Sequence, residues 1–136
     1  MIKQMVPTPV AKGALTTADR VKTIAHRGKK ILQIDFSNCM LLDVRQVIEL
    51  ARKQIESHPP KSLLIFTDLT NTAAEPQVVQ ALRDFAKSNA AFTKASAIVG
   101  LSGPKRLILE AINKFAGRDI RHFSNPSIAK NWLADH

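Results

Sequence analysis

The run Ser62-Leu63-Leu64-Ile65-Phe66-Thr67-Asp68-Leu69 limits what this chain can fold into more than any other segment. It is almost uninterruptedly apolar, and it lies between Pro59-Pro60 and the polar Thr70-Asn71-Thr72. A short apolar run closed by breakers at both ends reads as a strand covered on both faces. Alternation puts Leu63, Ile65 and Leu69 on one face and Leu64 and Phe66 on the other. A fold that holds such a strand needs a sheet with apolar cover above and below.

The flanking segments supply the layers. VKTIAHR, residues 21–27, alternates and meets Gly28, and ILQIDF, residues 31–36, follows, so Arg27-Gly28-Lys29 predicts a hairpin. In the second run Leu32, Ile34 and Phe36 share one face, and Ile31, Gln33 and Asp35 the other. A helix is predicted over about residues 42–57, where Val44, Val47, Ile48, Ala51 and Ile55 recur at helical spacing. Asp43 favours its start electrostatically, and His58-Pro59-Pro60 stops it.

A second helix, 76–89, opens on Pro76, with an apolar stripe of Val78, Val79, Leu82, Phe85 and Ala86. KASAIVG, residues 94–100, is the next strand. Ser102 is expected to cap a helix over 104–116, lined by Leu107, Ile108, Ala111, Ile112 and Phe115 and ended by Gly117. Residues 120–123 form a short edge strand. Asn125 or Ser124 then caps a last helix begun by Pro126, with Ile128, Ala129, Trp132 and Leu133 facing inward. The order is ββαβαβαβα, an α/β domain whose sheet is mostly parallel after the opening hairpin. Residues 1–20 read as an N-terminal arm, with Val6, Val10 and Leu15 free to pack on the domain at 21–136.

At 136 residues the chain fits one domain. Cys39 is the only cysteine, which excludes an internal disulfide and fits a reducing compartment. No segment approaches the ~20 apolar residues of a membrane span. Pro7 and Pro9 interrupt the N-terminus where a secretory signal would carry its apolar stretch, so the expectation is a cytoplasmic protein. The formal charge of +9 raises nucleic-acid binding as a function. However, the basic residues are spread from Lys3 to Lys130, with only a short cluster at Arg27, Lys29 and Lys30. Few aromatics are available for stacking, so a solvated basic surface is the plainer reading.

Four segments carry a resemblance: GKKILQIDFSN (28–38), PPKSLLIFTDLTNT (59–72), KASAIVGLSGPKRLILEAINKFAGR (94–118) and HFSNPSIAKNWL (122–133). The chain resembles the SpoIIAA-like family of small bacterial proteins, a STAS/SEC14-type branch of the fold of anti-sigma-factor antagonists. The resemblance spans about residues 21–134. It implies a five-stranded sheet in the order 1-2-3-4-5 with helices largely on one side, and most members of this branch have no assigned function. Antagonists of this kind carry a phosphorylatable hydroxyl where the third strand runs into the second helix, typically after an Asp. Here that place reads Asp68-Leu69-Thr70-Asn71-Thr72, making Thr70 and Thr72 the phosphorylation candidates. The Ser-Gly that usually follows is replaced by Ala73-Ala74-Glu75-Pro76, and the plainer reading is that Asp68 and Thr72 hydrogen-bond the loop and cap the helix.

Open parallel sheets bind ligands at the C-terminal ends of their strands. With sequential strands those ends form one rim, whose candidate ligand-binding residues are Asp35, Asn38, Asp68, Asn71, Ser102, Gly103 and Lys105. Glycines on both sides of Ser102 would let a ligand approach the backbone at a helix N-terminus. GLSG matches neither a phosphate-cradling loop nor a nucleophile elbow, so a plain turn is the simpler reading. Asp35 and Asp68 end adjacent strands but lack a third metal ligand, and Ser102 has only His122 as a conceivable base. Cys39 reads as a small packing residue. Nothing in the pattern calls for a cofactor, a metal or catalysis.

The leading expectation is therefore a non-enzymatic regulatory module that binds another protein. A binder of a small apolar or anionic ligand, such as a lipid or nucleotide, is the alternative. A lipid would need a cavity near Phe85, Phe92, Phe115 or Trp132. Nucleic-acid binding through the basic surface is a further alternative. If the helices cover mainly one face, the other apolar face needs the arm or a second subunit, which leads to the expectation of a homodimer.

Overall fold

The computed structural model describes residues 15–136. After a single 3-10 turn, Ala18–Arg20, come the strands β1 (Val21–His26) and β2 (Lys29–Asp35). They pair antiparallel from Val21 opposite Ile34 to His26 opposite Lys29. Arg27 and Gly28 both have positive φ, 51° and 77°, as a two-residue hairpin loop between right-twisted strands requires. The chain continues through α1 (Leu41–Ile55), β3 (Leu63–Asp68), α2 (Pro76–Asn89), β4 (Thr93–Val99), α3 (Lys105–Ala116), β5 (Arg121–His122) and α4 (Pro126–Ala134). The five strands lie in the order β1-β2-β3-β4-β5. The sheet is mixed: the hairpin is antiparallel, whereas β2/β3, β3/β4 and β4/β5 run parallel.

β3 is buried from Leu63 to Thr67, as its apolar sequence requires. On one face Leu32, Ile34, Phe36, Leu63 and Ile65 meet Val44, Val47, Ala51 and Ile55 of α1 and Val78 and Phe85 of α2. Phe36 and Phe85 touch edge to face, with centroids 6.3 Å apart. On the other face Ile31, Leu64, Phe66, Ala95, Ala97 and Val99 pack against Ala129 and Leu133 of α4.

α4 alters the expectation of helices gathered largely on one side. Its own chain covers the second apolar face, so the motive for invoking a second subunit there falls away. Val6 and Val10, the other proposed cover, lie outside the described residues. Of the arm, Arg20 is tied to the domain: its Nη1 donates to the carbonyl oxygens of Asp35 (3.2 Å) and Ser37 (2.9 Å).

Helix termini follow local chemistry at three places and depart from it at one. Asp43 reaches back to accept the Met40 N–H at 3.0 Å. The Asn125 side chain accepts the N–H groups of Ser127 and Ile128 at 2.7 and 3.3 Å, a side-chain N-cap. Gly117 closes α3 in the left-handed conformation, φ 64°. Ser102, by contrast, is no side-chain cap: α3 starts at Lys105, and Ser102 contributes only its backbone carbonyl to the Lys105 N–H.

α3 is also rotated from its expected seating. Leu109 and Ile112 are buried, but Leu107 is 64% and Phe115 48% exposed. The helix packs chiefly against α2, so only a narrow arc of its surface finds cover. Phe115 instead lies beneath the Arg83 guanidinium, 4.4 Å from its ring centroid. Ile128 likewise faces solvent, because α4 needs only Ala129, Leu133 and the half-buried Trp132 to cover the sheet. Among the described residues no helix is long and apolar enough to cross a membrane.

Candidate functional site

The loops after β2, β3 and β4 are stitched into one rim. Asp35 and Asp68 are register partners on adjacent parallel strands, which places the two loops side by side. The Phe36 N–H donates to Asp68 O at 2.8 Å, the Asn38 N–H to Thr70 O at 2.9 Å and the Leu69 N–H to Val99 O at 2.9 Å. Asn71 Nδ2 donates to Asn38 Oδ1 at 2.8 Å. Both asparagines have left-handed backbones, which Asn tolerates better than most residues.

Both rim carboxylates are already engaged. Asp35 Oδ1 accepts the Ser37 N–H at 2.7 Å and lies 3.8 Å from Arg20 Nη1. Asp68 Oδ1 accepts the Thr70 N–H at 2.8 Å. Each is the Asx turn that lets its strand end without stranded backbone donors.

The two threonines differ sharply. Thr72 is 5% exposed, and its hydroxyl donates to Phe36 O at 2.8 Å. It neither caps α2, which has no side-chain cap, nor offers its oxygen to a kinase. Thr70 is exposed. It opens on a cleft of about 520 Å³ whose walls include Ser102, Gly103, Lys105, Arg106 and His122. Lys105 Nζ donates to Thr72 O at 3.3 Å, and Arg106 Nε to Leu101 O at 3.3 Å, so both cations are held at this end of α3.

His122 Nε2 accepts the Leu101 N–H at 3.3 Å, which requires the tautomer with its proton on Nδ1. Burial, and then the nearby Arg106, hold this imidazole below its ordinary pKa. Its acceptor nitrogen is thus committed to backbone, not to Ser102. Gly100 has a role other than ligand access. At φ 94° it faces Thr70 so closely that an added Cβ would lie under 3.0 Å from Thr70 backbone and side-chain atoms. Cys39 is 1% exposed, and burial raises its thiol pKa.

Of the candidate residues read from sequence, Asn71, Ser102, Gly103 and Lys105 line the cleft with Thr70, whereas Asp35, Asn38 and Asp68 belong to the adjoining loops and do not line it. Arg20 was not foreseen as part of the rim. Arg20 is 15 residues from Asp35 and joins it only through the hairpin. Two apolar spaces between α2, α3 and the sheet hold about 40 and 60 Å³. Ligand pockets commonly hold about 300 Å³ or more, so these do not suit a lipid. Among the described residues no three His, Cys, Asp or Glu side chains gather as a metal site.

No family model, curated protein or solved structure matches the chain.

Proposed function

We propose that this chain is a non-enzymatic regulatory module of the anti-sigma-factor-antagonist kind, with the rim as its protein-binding surface and Thr70 as its switch. The reading extends the SpoIIAA-like resemblance. The observation that carries it is the placement of Thr70: of the two candidate hydroxyls it alone is exposed, and it opens on a cleft flanked by Lys105 and Arg106. A phosphoryl group on Thr70 would bring about two negative charges next to those cations and the N-terminus of α3. The rigid stitching of the three loops then presents the change in charge to a partner without needing the fold to move. The engaged state of Asp35, Asp68 and His122 supports a binding role over catalysis, since each carboxylate or imidazole already serves the backbone.

Incubation of the purified chain with ATP and an extract of its native cells, followed by fragment mass spectrometry, tests this. Phosphate on Thr70, absent from Thr70→Ala, is the expected result. Phosphate confined to other residues, or none in either protein, overturns the switch.

A further inference from the structure

At the far end of β4 from the rim, four cations converge. Lys61, Lys94, Arg118 and Arg121 line a groove of about 350 Å³, bounded at one end by Trp132 and His136. Its origin lies in the shortness of β5, which pairs only with Ala97 and Ile98. The Phe123 N–H donates to Ile98 O, so Ile98 turns its backbone toward β5. By the two-residue period Ser96 and Lys94 turn the same way, and Lys94 has no β5 residue opposite. The groove occupies the place a longer β5 would fill.

The charges in this groove are poorly compensated. Asp119 is its one lining side-chain carboxylate, and it sits 3.5 Å from Arg121 in an exposed pair. Among the described residues Lys61, Lys94 and Arg118 have no carboxylate within 4.0 Å. Arg118 is half-buried and held in place, with Nη1 donating to Ala86 O and Asn89 Oδ1. Its Nε and Nη2 donate to no protein group among the described residues, and burial lowers its pKa, the mark of a cation short of counter-charge. An anchored guanidinium has already lost the freedom that binding would cost it, and its planar fork suits a phosphate oxygen pair.

We propose that this groove binds a small molecule carrying two or more phosphate groups, with Arg118 as the fixed donor and Lys61, Lys94 and Arg121 around it. Three uncompensated cations call for a multivalent anion. A phosphate chain concentrates that charge in a space of this size. An extended acidic peptide does not fit as well, because β5 lies along the same edge and stops an added strand at Ser96. The site is separate from the rim and does not depend on the switch at Thr70.

Calorimetric titration of the full chain with inorganic pyrophosphate at low salt tests the proposal. Arg118 also ties down the end of α2, so the variant is Lys94→Glu, at an exposed side chain, with Lys114→Glu on the exposed side of α3 as the matched charge control. Saturable one-to-one binding, weakened about tenfold or more by Lys94→Glu and little by Lys114→Glu, is expected. No saturable binding, or equal weakening by both variants, overturns the site. So does a short single-stranded RNA that binds more tightly than pyrophosphate with the same dependence on Lys94, since the groove would then be a nucleic-acid surface.

Discussion

Asn71 donates its side-chain amide to the side-chain oxygen of Asn38 across 2.8 Å, joining two loops that are 33 residues apart. Both residues sit at positive φ, 53° and 60°. The pair thus solves two problems together: it turns the chain sharply after β2 and β3, and it locks the turns to each other. This lock is what makes the rim one surface.

Replacing Asn38 separates the two contributions. Asn38→Gly keeps the left-handed backbone and loses only an exposed hydrogen bond, for an expected cost of about 1 kcal/mol or less. Asn38→Ala loses the bond and forces a Cβ residue into the left-handed region, adding about 1–2 kcal/mol. Urea denaturation of both variants reads the difference, and equal midpoints would show that the backbone conformation contributes nothing.

Gly100 and Gly103 bracket Ser102 but should respond very differently to alanine. At Gly100 the new Cβ would strike Thr70 while the backbone holds φ 94°, so a loss of roughly 3 kcal/mol or more is expected. At Gly103, φ 53°, nothing lies within 4 Å of the added carbon. That variant should lose only about 1 kcal/mol, from backbone strain. Denaturant midpoints decide, and Gly100→Ala should also expose the Thr70 loop to faster proteolysis.

His122 gives the fold a pH dependence of defined sign. Its folded pKa lies below the ordinary 6.5, chiefly because burial penalises the charged ring. The unfolded chain therefore takes up this proton first as pH falls. The stabilising contribution is complete above the unfolded value and is lost as pH falls through 6.5 toward the folded value. Protonation of Nε2 also removes the acceptor for the Leu101 N–H. Denaturation midpoints between about pH 8 and pH 5 should fall less steeply in His122→Gln than in the wild type. Identical slopes would show that His122 is not the titrating group.

Much of the fold was legible because it is written in short-range chemistry. The unbroken apolar character of β3, the five-residue stripe of α1, the Arg27-Gly28 turn, Pro76 opening α2, Gly117 closing α3 and the Asn125 cap each depend on neighbours within a few positions. The site was legible in part, since Asp35, Asp68 and Ser102 stand just past the apolar runs that end at the rim. What escaped was the use each makes of its surroundings. Thr70 and Thr72 are indistinguishable as letters, yet one hydroxyl is exposed and the other is spent on Phe36 O. Gly100 read as an approach for a ligand and proved to be the space that Thr70 occupies.

By itself the sequence determined the elements, their order and the side of each strand that must be apolar, because dihedral preference and periodicity act locally. Periodicity states that residues share a face but not what that face meets. The tertiary structure decided that α4 crosses to the second sheet face, and that α3 buries Leu109 and Ile112 while leaving Leu107 and Phe115 outside. It also decided that β5 stops after two residues and leaves a basic groove beside β4. These outcomes turn on register and on competition between helices for a limited area of sheet, which are set by contacts between distant parts of the chain.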